Sequence, residues 1–216
     1  MKKISVYVLI AALFVVMSCD SVLDSDDFRS TQYRAENAFS FQVDPNSVNA
    51  VDVDAINGSV RIVGADSVTA ILVEGTKQVK SDSESDAVNY LQYLSVSIGQ
   101  QGSTLTVESE YPSDTNGREV QYHYVITVPK SLAAAVDLTN GQCYFDDLEN
   151  RVDVDLTNGD VLFTNIVAAI EAEVTNGQIS GTVDVPANKS IECETTNGQI
   201  VLHVPETLSA RVYAQV

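Results

Sequence analysis

The chain has 216 residues, of which 30 are acidic and 12 basic, for a formal net charge of −18. So acidic a surface excludes nucleic acid and anionic lipid headgroups as partners. The absence of Trp and the presence of only two His also remove much of the side-chain chemistry that sugar-active and hydrolytic enzymes use.

At the N-terminus, Met1-Lys2-Lys3 is followed by a mostly apolar run from Ile4 to Met17, too short to span a bilayer. Val16-Met17-Ser18-Cys19 closes it, and the segment resembles a bacterial lipoprotein signal peptide whose final Cys is acylated after cleavage. The alternative is an ordinary secretory signal with an incidental Cys. The resemblance implies a signal over residues 1–18, a mature chain anchored through lipid at Cys19, and a location in the bacterial cell envelope, periplasmic or surface-exposed, in the outer membrane. Loss of Lys2 and Lys3 leaves 10 basic against 30 acidic side chains, a formal −20. Residues 19–38 are rich in Asp, Ser, Arg and Gln without a period and read as a flexible tether. One continuous domain is expected over residues 39–216.

The first half of that domain reads as strands with one short helix. Val51 and Val53, then Val60 and Ile62, alternate around Asn57-Gly58, and Val68 to Val73 suggest another strand. Ser83 stands where a helix N-cap is expected, with Val88, Leu91 and Leu94 on one helical face. Strand period returns at Leu94, Val96 and Ile98 and at Leu105 and Val107. It is cleanest over Val120, Tyr122, Tyr124, Ile126 and Val128, with Asn116-Gly117 as a hairpin signal before it.

Four copies of Thr-Asn-Gly organise the second half, at Asn140-Gly141, Asn158-Gly159, Asn176-Gly177 and Asn197-Gly198, and Asn57-Gly58 is a degenerate fifth. The spacings of 18, 18 and 21 residues mark a repeat over about residues 134–205. Apolar residues keep one phase on both sides of each turn: Val136, Leu138 and Cys143 in one copy, Val154, Leu156 and Val161 in the next. Cys143 and Cys193 share these inward phases and read as core thiols beyond disulfide reach. The turns between copies look unrelated in chemistry. The pattern therefore predicts an all-β fold, a parallel β-solenoid or β-helix-like stack of short coils with a β-rich N-terminal half carrying the helix, over an antiparallel meander.

These features in this order resemble the putative-adhesin family of bacterial envelope β-solenoids, over about Val51 to Pro205. The resemblance implies an adhesin-like, non-catalytic binding or interaction module, with a protein or glycan partner at the envelope and no cofactor. Two alternatives stay open: a structural or regulatory lipoprotein contacting another membrane protein, and a sugar-active β-helix enzyme. No catalytic constellation is visible, and His123 and His203 both lie on polar strand phases, where exposed surface histidines are expected. One acidic residue stands three before each Asn, at Asp54, Asp137, Asp155, Glu173 and Glu194. Most simply this is a solvated face that keeps a sheet soluble; the ladder of Asp137, Asp155, Glu173 and Glu194 is also a candidate for weak divalent-cation binding.

Overall fold

The computed structural model describes Tyr7–Val8 and residues 33–208, so the lipobox and Cys19 lie outside the described residues. The fold is all-β with one short helix, built on a mixed sheet that does not close into a barrel. Its strands are β1 (Tyr7–Val8), β2 (Tyr33–Val43), β3 (Ala50–Ala65), β4 (Ile71–Ser81), β5 (Ser95–Gln101), β6 (Thr104–Glu110), β7 (Glu119–Pro129), β8 (Ala133–Asp146), β9 (Val152–Val167), β10 (Ile170–Asp184) and β11 (Ile191–His203). The two-residue β1 pairs with Gln42 and Phe41 of β2. Strand β2 begins at Tyr33, inside the stretch whose composition reads as a tether.

Two kinds of pairing divide the sheet. In the first half β2, β4 and β7 are antiparallel neighbours. In the second, β3, β8, β9, β10 and β11 stack in parallel, with each Asn of the repeat opposite the next: Asn57 with Asn140, Asn140 with Asn158, Asn158 with Asn176, and Asn176 with Asn197. Asn-Gly therefore sits in the middle of a long parallel strand and makes no hairpin. Ile166 and Val167 pair out of step with the earlier register because β9 carries one extra residue between Phe163 and Ile166, opposite Gly181 to Val183 of β10.

The alternation read from sequence fills the core row by row. Val53, Val136, Val154 and Ala172 form one buried row, and Val60, Cys143, Val161 and Ile179 another on the far side of the corner. Phe145 and Phe163 stack with ring centroids 5.6 Å apart, where removing either ring would cost about 3–5 kcal/mol. Cys143 is fully buried and Cys193 half-buried, and both are free thiols. Burial pushes Cys143 up to about 12 and Cys193 to about 11, so neither is a nucleophile at neutral pH.

Helix α1 (Glu84–Leu91) starts where expected, with the Ser83 side chain accepting from the Asp86 amide. Its buried face is Ala87, Tyr90 and Leu91, whereas Val88 is 47% exposed. The apolar run after Ser67 also resolves differently: β4 begins at Ile71 and runs on to Ser81 through polar residues, because both its flanks are paired. Asn116 and Gly117 do adopt positive φ, 51° and 81°. Yet the strands they join are not paired to each other; β6 and β7 both add parallel to β3, one to each half of it. The turns between the repeat strands share more than the sequence suggests. Asp147 and Asn165 hold the same left-handed conformation, φ 55° and 54°, and Asn165 Nδ2 donates to Asp147 Oδ1 at 3.4 Å.

Gly159 shows what fixes the corner. Its φ is 138°, and a Cβ there would lie 1.7 Å from the carbonyl oxygen of Gly141 in the neighbouring strand β8. Gly117, also at positive φ, has open space around the same position. We expect Gly159→Ala to destabilise the protein by about 3 kcal/mol or more, and Gly117→Ala by about 1 kcal/mol. Chemical denaturation of the two variants checks this; equal losses would contradict it.

Candidate functional site: the corner ladder and its cleft

The corner asparagines make a continuous hydrogen-bonded column. Asn197 Nδ2 donates to Asn176 Oδ1 at 2.9 Å, Asn176 to Asn158 at 2.8 Å, Asn158 to Asn140 at 2.9 Å and Asn140 to Asn57 at 2.9 Å. Every bond runs the same way. Asn140, Asn158, Asn176 and Asn197 are exposed rather than buried in the core. An inward column would be the simplest guess from the repeat, but the bend points these side chains out of the core.

The acidic residues form the stripe that their spacing predicts. Asp54, Asp137, Asp155, Glu173 and Glu194 are successive register partners. A second row is broken at Ala135, opposite Asp52, and Arg151 bonds both Asp153 (2.7 Å) and Glu171 within it. Burial, then the charges of Asp155, Asp54 and Asp52, raise the Asp137 pKa; Asp52 is raised likewise by burial and by Asp54. Among the described residues no three His, Cys, Asp or Glu side chains converge as metal ligands. The stripe spreads its charge along a face, one carboxylate per strand.

At the Asn57 end of the column lies a feature that sequence reading missed, an open cleft of about 680 Å³ lined by Asn57, Tyr111, Thr115, Arg118, Gln121 and His123 among others. It exists because the layer beyond β3 is made of two separate strands. Strand β6 covers residues 50–54 and β7 covers 58–65, so Ala55 and Asn57 have a partner in β8 on one side and none on the other. The loop between β6 and β7 stands where a further Asn-Gly corner would be. The one available signal was the 83-residue gap between Asn57 and Asn140, far longer than the 18- to 21-residue spacing of the other copies.

Arg118 holds that loop. Its guanidinium is bidentate to Asp86 at 2.6 and 2.7 Å, bonds Thr115 O at 3.0 Å and lies 4.6 Å from the centroid of the Tyr90 ring. The Arg118 bonds, aided by Ser81, hold the Asp86 carboxyl down at about 2. His123 is half-buried, not fully exposed as its strand phase suggests, with Nδ1 2.9 Å from Ser59 Oγ. Burial first, then Arg34, lowers its pKa, so it is neutral at pH 7. His203 is exposed.

Comparison with known proteins gives fold likeness only. No family model matches the chain, and no curated protein does. Among solved structures, a putative cell adhesion protein from Clostridium sporogenes is similar over 79% of this chain and 100% of its own, at 12% identity and a TM-score of 0.50. A putative adhesin from Parabacteroides distasonis is similar over 78% and 79%, at 14% identity and a TM-score of 0.30. The chain thus shares its fold with the Clostridium adhesion protein. No helix among the described residues is long and apolar enough to cross a membrane.

Two outcomes follow from the column and the stripe. Replacing Asn158 by Ala removes two exposed amide bonds and should cost about 1 kcal/mol, more than the same change at Asn197, which loses one; a melting series that ranks them equally contradicts this. For Asp137 the folded pKa is raised, so its contribution is most favourable below the unfolded value, about 3.9, and is lost as pH rises through the folded pKa. Asp137→Asn should therefore raise the melting temperature at pH 7 in low salt. The gain should shrink in high salt and at acid pH, and a gain independent of both would refute the repulsive stripe.

Proposed function

We propose that this chain is an adhesin-like, non-catalytic binding module of the putative-adhesin family, a β-solenoid anchored in the bacterial envelope through lipid at Cys19. The observation that supports it most is the fold shared with the putative cell adhesion protein from Clostridium sporogenes over that protein's full length. The solenoid itself is favoured by chain length. Strand β8 has 14 residues, about 46 Å if straight, while the link 147–151 to its parallel neighbour β9 reaches at most about 17 Å. A strand that must return so soon has to fold back on itself, and the Asn-Gly corner and the left-handed Asp147 supply the bends.

The acidic surface suits a module that must stay soluble and unpaired at a crowded membrane. The lipobox motif supplies the anchor, and stable insertion takes more than one acyl chain. Mass spectrometry of the mature N-terminus should find Cys19 acylated with residues 1–18 removed. Protease treatment of intact cells should then release the domain, and deletion of the gene should lower cell attachment to host or abiotic surfaces. An unmodified Cys19, or full attachment without the protein, would overturn the corresponding half of the proposal.

A further inference from the structure

We propose that the cleft over Asn57 binds a neutral sugar unit, which deepens the adhesin reading above and rests on it for its biological setting. At every other level of the column each Nδ2 is taken up by the Asn beyond it. At Asn57 the column ends on a donor: among the described residues its Oδ1 accepts from Asn140 and its Nδ2 has no partner. Four aligned amide bonds polarise one another toward that end. The repeat breaks where the cleft opens, so the terminal donor faces a space rather than another coil.

The charges in the cleft are already paired, Arg118 with Asp86 and Glu119 with Lys80 at 2.9 Å. What remains is neutral hydrogen-bonding capacity. Asn57 offers an amide, Thr115 a hydroxyl, and His123 an uncharged ring whose Nδ1 is held by Ser59. Tyr111 keeps its phenol protonated, since burial raises its pKa. Its ring, 6.3 Å from that of Tyr122, gives the cleft an aromatic wall. A pyranose matches this set, because its hydroxyls both donate and accept while one face presents C–H groups to an aromatic ring. An anion or a cation would need an unpaired opposite charge, which the cleft does not supply. The volume of about 680 Å³ lies within the range of small-molecule clefts.

The test is titration of the full chain in detergent micelles with lactose, maltose, diacetylchitobiose and glucuronate, followed by ligand-observed NMR. Asn57→Asp keeps an oxygen to accept from Asn140 but replaces the outward donor with an acceptor and adds a negative charge, and Asn57→Ala removes the amide without adding charge; both should weaken neutral-sugar binding about tenfold or more. Tyr111→Ala, outside the column, should weaken it too, and Asn197→Ala, at the far end, should not. No binding of any neutral sugar, binding unchanged in Asn57→Asp, or preference for glucuronate overturns the proposal. Sugar binding without any loss of attachment on gene deletion would leave the cleft in place and remove the adhesin setting. Loss of attachment with no sugar bound would do the reverse.

Discussion

Each corner glycine of the stack lies so close to the chain beneath it that a Cβ would sit 1.7–1.8 Å from a carbonyl oxygen. This contact leaves no room for a side chain at Gly58, Gly141, Gly159, Gly177 or Gly198, and it holds only when each corner stands directly over the last. Register follows from it. A slip by one residue would bring a side-chain-bearing position against that oxygen and turn every inward Val, Leu and Phe outward. The asparagine column, the stacked apolar rows and the acidic stripe are all consequences of one fixed alignment.

The same alignment sets favourable and unfavourable terms side by side. Aligned amides gain hydrogen bonds along the corner, and aligned apolar rows bury Val, Leu and Phe at every level. Aligned carboxylates repel, and the charges of Asp155, Asp54 and Asp52 add to the burial that chiefly raises the pKa of Asp137. Exposed neighbours at strand spacing repel by about 1 kcal/mol at most, less than the burial of a single core side chain in the same strand, about 1.5–3 kcal/mol. The stripe is tolerated because hydrophobic burial outweighs it. It also keeps charge on a flat face that could otherwise pair with other sheets.

Legibility in the sequence tracked how local each signal was. Strand periodicity around Asn140 and Asn158, the Ser83 cap and the inward Cys143 could all be read within a few residues, because alternation and capping are local properties. The cleft could not, since it depends on β6 and β7, whose pairing with β3 ends at Glu108 and resumes at Tyr122, taking the two halves of one layer. Asn116-Gly117 misled for the same reason: its turn conformation is as the dipeptide predicts, but tertiary pairing gave its flanking strands to β3. Asp147 and Asn165 hid a shared left-handed turn behind different residues, both of which tolerate that conformation. The column's exposure needed the bend direction, which no periodicity contains.

Register is the claim on which the account turns, and cross-linking measures it directly. With Cys143 and Cys193 replaced by Ala, the pair Q142C and D160C should form a disulfide rapidly on mild oxidation, since these residues are register partners on adjacent parallel strands and neighbouring strands lie about 4.8 Å apart. The pair Q142C and L162C, two residues out of step, should cross-link far more slowly. Comparable rates for the two pairs, or faster closure of the second, would contradict a stack fixed by corner on corner.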